Sequence, residues 1–565
     1  MLAALLAIVA IVIPCVIAAR DGALSIPRSD DWSYLLTLFR LVDHGRLGFN
    51  NWVSMTLVGQ IALASPIALV ARDSITAIHI ETAVLGYLGL LAIVGAEPGH
   101  RRRLWLLAFT IALGPLWSPL AATFMTDVPA FAVQCVMLAL ALRMLRRGIT
   151  PGRYAATLAV GFLAIAIRQY ELIPTVAVAI VTLAHVRRSD PSQLRRLAMV
   201  TAALAVATAA LFAWWLALPD SLSLSPSPLT SSFAANLAVR VAGFGRLIGL
   251  LLVPLLVAIG PIRIARTAWH ASARLTTAVA TITGFTMVVT YLRVPDVPFV
   301  GNYLGLYGVL ARDVLDGRRL PVMPTSAFRV LAALGSGAAV VLAIAVVPAI
   351  VRMTDRVRRR DHALVDPSGT VLALTAIGFS VMYAVAIATN LPVFDRYALP
   401  LLPVVGMLLI RAPLAEAAEV GHRAGTGPRA RLAVIAVALA GCAIVGLAFG
   451  TDSASFDGAR WKIDQELVAR GWPATRISGG FEWISWHARK GPPRGGNAAQ
   501  RRKARAAYHR PFCLDVFVNP GPAVARRAIV SVRMRGLLHA DTTILAVRNQ
   551  RPCPGVRVAR STPAP

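Results

Sequence analysis

The residues best suited to chemistry are two adjacent carboxylates, Asp30 and Asp31, in the polar stretch after the first apolar run. Adjacent carboxylates repel each other, so one of them should have a raised pKa in a partly buried site. Such a pair can deprotonate an acceptor hydroxyl, bind a divalent cation such as Mg²⁺ or Mn²⁺, or do both. Two solvated loop aspartates are the alternative.

Two arginines between apolar runs could bind a phosphate. Arg168 begins the sequence Arg-Gln-Tyr-Glu, and Arg396 lies in Phe-Asp-Arg-Tyr-Ala-Leu-Pro. A guanidinium binds phosphate through a planar fork of donors, and a lipid-linked phosphate would lie near the membrane surface. An interfacial arginine also reaches towards lipid headgroups, which is the alternative for either residue alone.

A third carboxylate, Asp127, lies in Thr-Asp-Val-Pro at another junction between apolar runs. Because Pro129 follows two residues later, Asp127 is typical of a helix N-cap. The positive end of the same helix could also bind an anion. Capping and a functional role both stay open at this point.

The sequence lacks the common motifs for nucleotide binding, for Cys/His metal binding and for a serine nucleophile. It contains no Walker loop, no dinucleotide-binding fingerprint, no Cys/His metal cluster and no Gly-x-Ser-x-Gly. Since there is no nucleotide pool outside the cytoplasm, an activated substrate for an outer-face reaction would have to arrive on a lipid.

The elements that must position these groups are membrane-spanning helices. The chain has 565 residues, 57% hydrophobic and 15% charged, against roughly 45–50% apolar and about 25% charged residues in soluble domains. This composition excludes a set of soluble domains, a disordered chain, a collagen-like chain and a disulfide scaffold. We expect a mainly α, polytopic membrane protein of about 13 spans. The predicted spans are 1–19, 75–95, 104–123, 128–145, 154–168, 172–186, 197–217, 243–264, 275–292, 328–351, 370–389, 398–410 and 432–450.

The arginines predict how these helices are oriented. The formal net charge of +30 comes largely from clusters in alternate loops, as the positive-inside rule expects, so it does not indicate a nucleic-acid partner. The N-terminus is then cytoplasmic, and residues 20–50 and 451–565 lie outside. The run 52–70 is predicted to be an interfacial or re-entrant helix, because counting it as a span would put Arg101, Arg102 and Arg103 outside.

Residues 451–565 are predicted to form a small α/β extracytoplasmic domain, after a membrane domain at 1–450 whose first outer loop, 20–74, holds the interfacial helices. The C-terminal stretch has 20 Lys+Arg against 7 Asp+Glu and contains no spanning run. Strands are predicted at 514–518, 528–532 and 543–547, with a helix at 460–470. Cys513 and Cys553 could pair in an oxidising compartment.

The order of these motifs resembles the GT-C superfamily of integral membrane glycosyltransferases. Within it, the chain is similar to bacterial family-39-type enzymes, which include the protein O-mannosyltransferases and the aminoarabinose transferase of lipid A. The resemblance covers residues 1–450, and 451–565, with Gly479-Gly480-Phe481-Glu482-Trp483, resembles the variable outer domain of some members. The family more often has Asp-Glu or Glu-Asp where this chain has Asp-Asp. The matching motifs are Asp30-Asp31 with Tyr34, Val58-Gly59-Gln60, Thr126-Asp127-Val128-Pro129, Arg168-Gln169 and Arg396-Tyr397-Ala398-Leu399-Pro400.

The resemblance implies inverting transfer of a sugar from a polyprenyl-phosphate donor to a hydroxyl of a glycan, lipid or protein acceptor. The reaction would take place on the outer face of the bacterial inner membrane. Asp30 would be the general base, with Asp31 positioning it or helping to hold an optional divalent cation. Arg168 and Arg396 would bind the donor phosphate. Acceptor-side or structural roles would belong to Asp127, Tyr34, Gln169 and Tyr397.

Three other functions remain open on the sequence. A transporter or flippase for lipid-linked glycans is the main one, although transporters usually carry ionisable groups near the middle of the bilayer. Here the carboxylates and arginines lie at the predicted outer ends of spans, which favours chemistry at the outer face. The other two are a ligase that transfers whole glycans and a non-catalytic scaffold.

Overall fold

A computed structural model describes residues 1–50, 52–218, 233–295, 298–309, 314–358, 366–389, 391–412, 428–489, 512–538 and 541–549. Within these ranges the protein is mainly α-helical, with one small sheet near its C-terminal end. The predicted fold class, a polytopic α-helical membrane protein, is confirmed. Apolar runs form helices because a helix satisfies its own backbone polar groups in lipid.

The helices follow the apolar runs in chain order. They are α1 (Leu2–Arg20), α2 (Asp31–His44), α3 (Val58–Ala71), α4 (Ile75–Ala96), α5 (Arg101–Ala112), α6 (Trp117–Ala121), α7 (Asp127–Arg147), α8 (Pro151–Ile167), α9 (Leu172–Ser189), α10 (Pro191–Leu216), α11 (Phe233–Leu251), α12 (Val253–Ile259), α13 (Pro261–Ala271), α14 (Ala273–Arg293), α15 (Thr325–Ala345), α16 (Val347–Arg358), α17 (Pro367–Ala388), α18 (Leu401–Arg411), α19 (Pro428–Ala469), α20 (Phe481–Ala488) and α21 (Pro522–Ala525).

Nine helices in the described ranges are long and apolar enough to cross a membrane. A tenth is counted if Leu237–Leu251 and Val253–Ile259, which meet at 63°, form one broken span. The predicted number of 13 therefore stays a prediction. Three of the predicted spans are less regular than expected: 104–123 is divided between α5 and α6, 243–264 is divided among α11, α12 and α13, and 398–410 contains the 11-residue α18.

The segment between α1 and α4 contains two helices, α2 and α3, joined by an irregular stretch. This stretch is held against α8, since Thr56 Oγ1 donates a hydrogen bond to the Ile165 carbonyl at 2.6 Å and the Leu57 N–H donates to the Ile167 carbonyl at 3.2 Å. Leu57 has a φ of +56° and precedes α3. The predicted helix at 52–70 is thus a 14-residue helix, and its interfacial placement stays a prediction.

Helices α4 and α7 pack closely at two glycines. A Cβ added at Gly89 would lie 2.6 Å from Ala132 Cα, and one added at Gly86 would lie 2.7 Å from a methyl carbon of Val128. Small residues at such contacts allow the backbones of membrane helices to approach, and dispersion then holds them together. Asp127 is the first residue of α7, so this contact helps to fix its position.

We expect Gly89→Leu to destabilise the protein strongly, because the larger side chain would push α4 away from α7. Overpacking of a close contact costs about 1–3 kcal/mol or more. Thermal unfolding of the detergent-purified protein should show a lower midpoint. Gly99→Leu, at a glycine with open space around it, is the control and should melt like the wild type.

Helix α19 is a single helix of 42 residues. It includes both the span predicted at 432–450 and the helix predicted at 460–470, so the predicted domain boundary at 450–451 falls within it. The composition changes at that point from apolar to polar, but the backbone does not change.

A small sheet packs against α19. It contains β1 (Asp316–Gly317), β2 (Ile477–Ser478), β3 (Leu514–Val518), β4 (Ala528–Met534) and β5 (Thr542–Arg548), in the order β1-β3-β5-β4, with β2 also paired to β3. Strand β5 lies between β3 and β4 and runs antiparallel to both, while β1 and β2 run parallel to β3. The three predicted strands are confirmed. Strand β1 comes from the loop between α14 and α15, which the sequence did not predict.

Cys513 lies just before β3 and is disulfide-bonded. Its predicted partner, Cys553, lies outside the described residues. Three other cysteines, Cys15, Cys135 and Cys442, have free thiols.

Candidate functional site

Four charged side chains from four separate segments meet near the start of α2. Asp30 precedes α2, Asp127 begins α7, Arg168 follows the last residue of α8, and Arg396 lies in the short 3₁₀ turn Asp395–Ala398. Arg396 pairs with Asp30 and Asp127, and Arg168 pairs with Asp127. Two carboxylates and two guanidiniums thus share one site, where their charges balance.

Arg396 is the group that joins the two carboxylates. Its Nη2 donates to Asp30 Oδ2 at 3.5 Å, its Nη1 donates to Asn302 Oδ1 at 3.1 Å, and its Nε lies 3.7 Å from Asp127 Oδ2. The last distance is an ion-pair contact but not a hydrogen bond, so Nε has no hydrogen-bond acceptor among the described residues. A buried N–H donor of this kind can donate a hydrogen bond to a phosphate oxygen.

Arg168 is held by one carboxylate and two aromatic rings. It donates a hydrogen bond to Asp127 Oδ1, and its guanidinium carbon lies 4.9 Å from the ring centre of Tyr170 and 5.0 Å from that of Tyr397. Burial disfavours the charged form, but the negative charge of Asp127 outweighs burial and raises the pKa of Arg168. The cation is therefore fixed at this position.

Asp127 is not the N-cap of its helix. Thr126 occupies that position and Asp127 is the first helical residue. Its carboxylate accepts a hydrogen bond from Arg168, and no side chain caps the start of α7. The capping alternative is wrong, and Asp127 belongs to the charged cluster.

The two adjacent aspartates have different environments. The Asp30 side chain is 16% exposed and accepts a hydrogen bond from Trp52 Nε1 at 2.7 Å. The Asp31 side chain is fully buried and accepts hydrogen bonds from the backbone N–H groups of Arg28 and Phe124. Of the two carboxylates, Asp30 is therefore the one that a substrate can reach.

His79 of α4 completes the environment of Asp31. Its Nε2 lies 3.1 Å from Asp31 Oδ2, and its Nδ1 lies 3.0 Å from the Leu24 carbonyl oxygen. A carbonyl can only accept, so Nδ1 must carry a proton, and the remaining proton of the pair lies between Nε2 and Asp31. Burial raises the pKa of Asp31, and His79 with the two N–H groups opposes this rise. Asp31 therefore anchors the segment that carries Asp30.

Asp395, next to Arg396, binds the loop between α14 and α15. Its Oδ2 accepts hydrogen bonds from the N–H groups of Tyr303 and Leu304 at 2.7 and 2.6 Å. The same loop supplies Asn302 to Arg396, and the Tyr303 ring centre lies 5.8 Å from the Arg396 guanidinium carbon. Burial raises the pKa of Asp395 to about 6.

The raised pKa of Asp395 predicts a pH dependence of stability. Between about pH 4 and pH 6 the folded protein holds a proton on Asp395 that the unfolded chain has lost, so its contribution to stability falls as the pH rises. The thermal midpoint of the wild type should therefore fall relative to that of Asp395→Asn across this window. A difference between the two midpoints that stays constant from pH 4 to pH 6.5 would contradict this assignment.

The structure does not bring every predicted residue to the charged cluster. Tyr397 contacts both arginines through its ring. Gln169 Nε2 donates to the Ser54 carbonyl at 2.9 Å and so supports the loop before α3. Tyr34 is buried in the main apolar core on α2.

Asp30 and Asp31 contact different partners. Both carboxylate oxygens of Asp31 already accept hydrogen bonds from backbone N–H groups. Among the described residues no group of three or more His, Cys, Asp or Glu side chains could hold a metal ion. Binding of a divalent cation by Asp30 and Asp31 stays a prediction, and none of the proposed reaction steps involves a metal.

Several residues of the site were not identified from the sequence. Trp52 and Tyr303 lie in loops where a single aromatic residue gives no signal of its own. Arg28 was not singled out either. Its Nε pairs with Asp457 of α19 at 3.0 Å, and its Nη2 donates to Ser453 Oγ at 2.7 Å.

The comparisons with known proteins give structural likenesses only. No protein-family model matches the chain, and no curated protein matches it. ArnT from Cupriavidus metallidurans, bound to undecaprenyl phosphate, is similar at 15% identity and a TM-score of 0.40, over 95% of this chain and 96% of that one. The archaeal oligosaccharyltransferase AglB from Archaeoglobus fulgidus, in complex with an inhibitory peptide and a dolichol-phosphate, is similar at 13% identity and a TM-score of 0.40, over 90% and 69%. At these values neither likeness carries an argument about activity.

Proposed function

We propose that this protein is a membrane glycosyltransferase that moves a sugar from a polyprenyl-phosphate donor to an acceptor hydroxyl at the outer membrane face. The observation that supports it most is the cluster of Asp30, Asp127, Arg168 and Arg396. It places a carboxylate that a substrate can reach beside two buried guanidiniums. A base next to an anion-binding pair is what transfer from a phosphate leaving group requires.

Asp30 takes the proton of the acceptor hydroxyl. The acceptor oxygen then attacks the anomeric carbon of the sugar, and the bond between that carbon and the phosphate oxygen breaks. A single displacement of this kind inverts the anomeric configuration. Trp52 Nε1 holds Oδ1 of the base, so the carboxylate is oriented before the acceptor arrives.

Arg396 and Arg168 stabilise the negative charge that grows on the departing polyprenyl phosphate. Arg396 has an Nε donor without a hydrogen-bond acceptor among the described residues, so a phosphate oxygen would satisfy it. Both guanidiniums are already fixed by Asp127 and by aromatic rings, so little reorganisation is needed as the charge develops.

Asp127 balances the positive charge of the two arginines when no donor is bound. Its Oδ2 has no hydrogen-bond donor among the described residues and faces Arg396 Nε. A phosphate that approaches Arg396 would compete with this contact. Asp127 thus positions the arginines, which is a structural role, and the acceptor-side role stays a prediction.

The orientation of the helices remains part of the proposal. The N-terminus is cytoplasmic, and the site and the region from 451 onwards lie outside, in the inner membrane of a bacterium. The acceptor is a glycan, lipid or protein that carries a free hydroxyl.

The function is tested by incubating the purified protein with a panel of polyprenyl-phospho-sugars and candidate acceptors. Mass spectrometry should detect free polyprenyl phosphate and glycosylated acceptor in equal amounts, and only when both substrates are present. Movement of an intact lipid-linked sugar across proteoliposomes without carrier release would indicate a flippase and would overturn the proposal.

A further inference from the structure

An aromatic side chain from the C-terminal region reaches the neighbours of both aspartates. The Phe481 ring centre lies 4.8 Å from that of Trp52, with the rings tilted by 48°, and 5.9 Å from that of Trp32, edge to face. Trp52 donates the hydrogen bond to Asp30, and Trp32 follows Asp31 in α2. One residue of α20 therefore contacts the surroundings of the acid pair.

Two glycines place Phe481 at this position. Gly480 has a φ of +97° and precedes the first residue of α20. A Cβ at Gly480 would overlap the Arg460 guanidinium, and a Cβ at Gly479 would overlap the Asp464 carboxylate. At Gly480 the positive φ favours glycine, and a side chain at either position would force the Arg460 or Asp464 side chain to move.

Buried ion pairs fix α20 to the segment that carries the aspartates. Glu482 accepts a hydrogen bond from Arg460 Nη1 at 2.7 Å, and Arg460 Nη2 donates to Asp457 at 2.9 Å. Asp457 in turn pairs with Arg28, whose backbone N–H donates to Asp31. Removing one partner from buried pairs of this kind is costly, so α20 has a rigid support.

We propose that Phe481 is a positioning residue that holds the Trp52 indole where Nε1 can donate to Asp30. The C-terminal region thereby sets the orientation of the base. Without the ring of Phe481, the indole can rotate away from the carboxylate, and the hydrogen bond from Trp52 Nε1 to Oδ1 of Asp30 is lost. This inference rests on the proposed function, in which Asp30 accepts the acceptor proton.

Two substitutions test whether Phe481 orients Asp30 through Trp52. Phe481→Leu removes the ring contact, and Trp52→Phe keeps an aromatic ring but removes the Nε1 donor. We expect each to lower kcat about 10-fold, because the base is misplaced, while KM for the donor changes less than about twofold. Phe481→Tyr, which keeps the ring, should restore most of the activity.

The double variant, Phe481→Leu with Trp52→Phe, tests whether Phe481 acts through Trp52. Because both changes remove the same hydrogen bond, the double variant should be only as slow as either single variant, about 10-fold below wild type. Independent effects would multiply to about 100-fold, which would show that Phe481 does not act through Trp52 and would overturn the inference.

Trp483→Leu is the matched control. Trp483 lies on the same helix but contacts Trp461 and His487, at 5.0 and 4.2 Å between ring centres. It is more deeply buried than Phe481, so its replacement should loosen α20 at least as much. Its kcat should nevertheless stay near that of wild type. An equal loss of kcat in Trp483→Leu would mean that general loosening, and not the contact with Trp52, is the cause.

The inference and the proposed function fail in different ways. If Asp30→Asn retains turnover, the base assignment is wrong whatever Phe481 does. If Asp30→Asn is inactive while folded Phe481→Leu, checked by size-exclusion chromatography, turns over like wild type, the base assignment stands and only the positioning role is wrong.

Discussion

Asp30→Asn should reduce sugar transfer by about 10²-fold or more, as expected for the loss of a general base. Asparagine has nearly the same shape and can still accept the hydrogen bond from Trp52 Nε1, but it cannot take the acceptor proton. The measurement is the rate of glycosylated acceptor formation by purified protein in detergent, normalised to the folded fraction.

Asp43→Asn is the control for this change, because Asp43 is an exposed carboxylate on α2 away from the charged cluster. It should transfer sugar at the wild-type rate. Near-normal turnover of a folded Asp30→Asn protein would remove Asp30 from the chemical step. The buried Asp31 would not replace it in this structure, since its oxygens are already occupied by N–H donors.

Arg396→Lys should reduce carrier release by about 10²–10³-fold, in line with the loss of a preorganised donor to a developing oxyanion. Lysine keeps the positive charge between Asp30 and Asp127 but donates from a single nitrogen, so it cannot contact Asn302, Asp30 and Asp127 with separate atoms. Single-turnover release of polyprenyl phosphate from a bound donor measures the effect directly.

Arg293→Lys is the matched substitution, at an exposed arginine at the end of α14. It should release the carrier at the wild-type rate. Product binding separates two explanations for Arg396→Lys. Weaker binding of polyprenyl phosphate together with slow release supports phosphate contact, whereas unchanged binding and unchanged release would remove Arg396 from the phosphate site.

The helices and the components of the site were largely predictable from sequence, because both leave strong local signals. Long apolar runs have few alternatives to a helix in lipid. Scarce charged residues at the ends of those runs are conspicuous, and Asp30, Asp127, Arg168 and Arg396 were identified in this way. That they meet in one cluster depends on how α2, α7, α8 and the turn before α18 pack, which no local pattern specifies.

The parts that were missed depend on contacts distant in sequence. Phe481 touches Trp52 across more than four hundred positions, and an aromatic residue after two glycines gives no indication of its partner. The N-cap alternative for Asp127 was wrong because an acidic residue before proline has the same local pattern whether it binds backbone or an arginine. The domain boundary at 450–451, which followed composition, stays a prediction, and α19 continues through it without a break.

The unbroken α19 also joins its apolar and polar halves rigidly. At about 1.5 Å per residue, its 42 residues form a rod of roughly 63 Å without an internal proline to serve as a joint. The span predicted in its apolar half, 432–450, is about 28 Å long, close to the hydrocarbon thickness of a bilayer. In a thinner bilayer, tilting is one way for such a span to fit, and the polar half that carries Arg460 and Asp457 would tilt with it, because the helix is continuous.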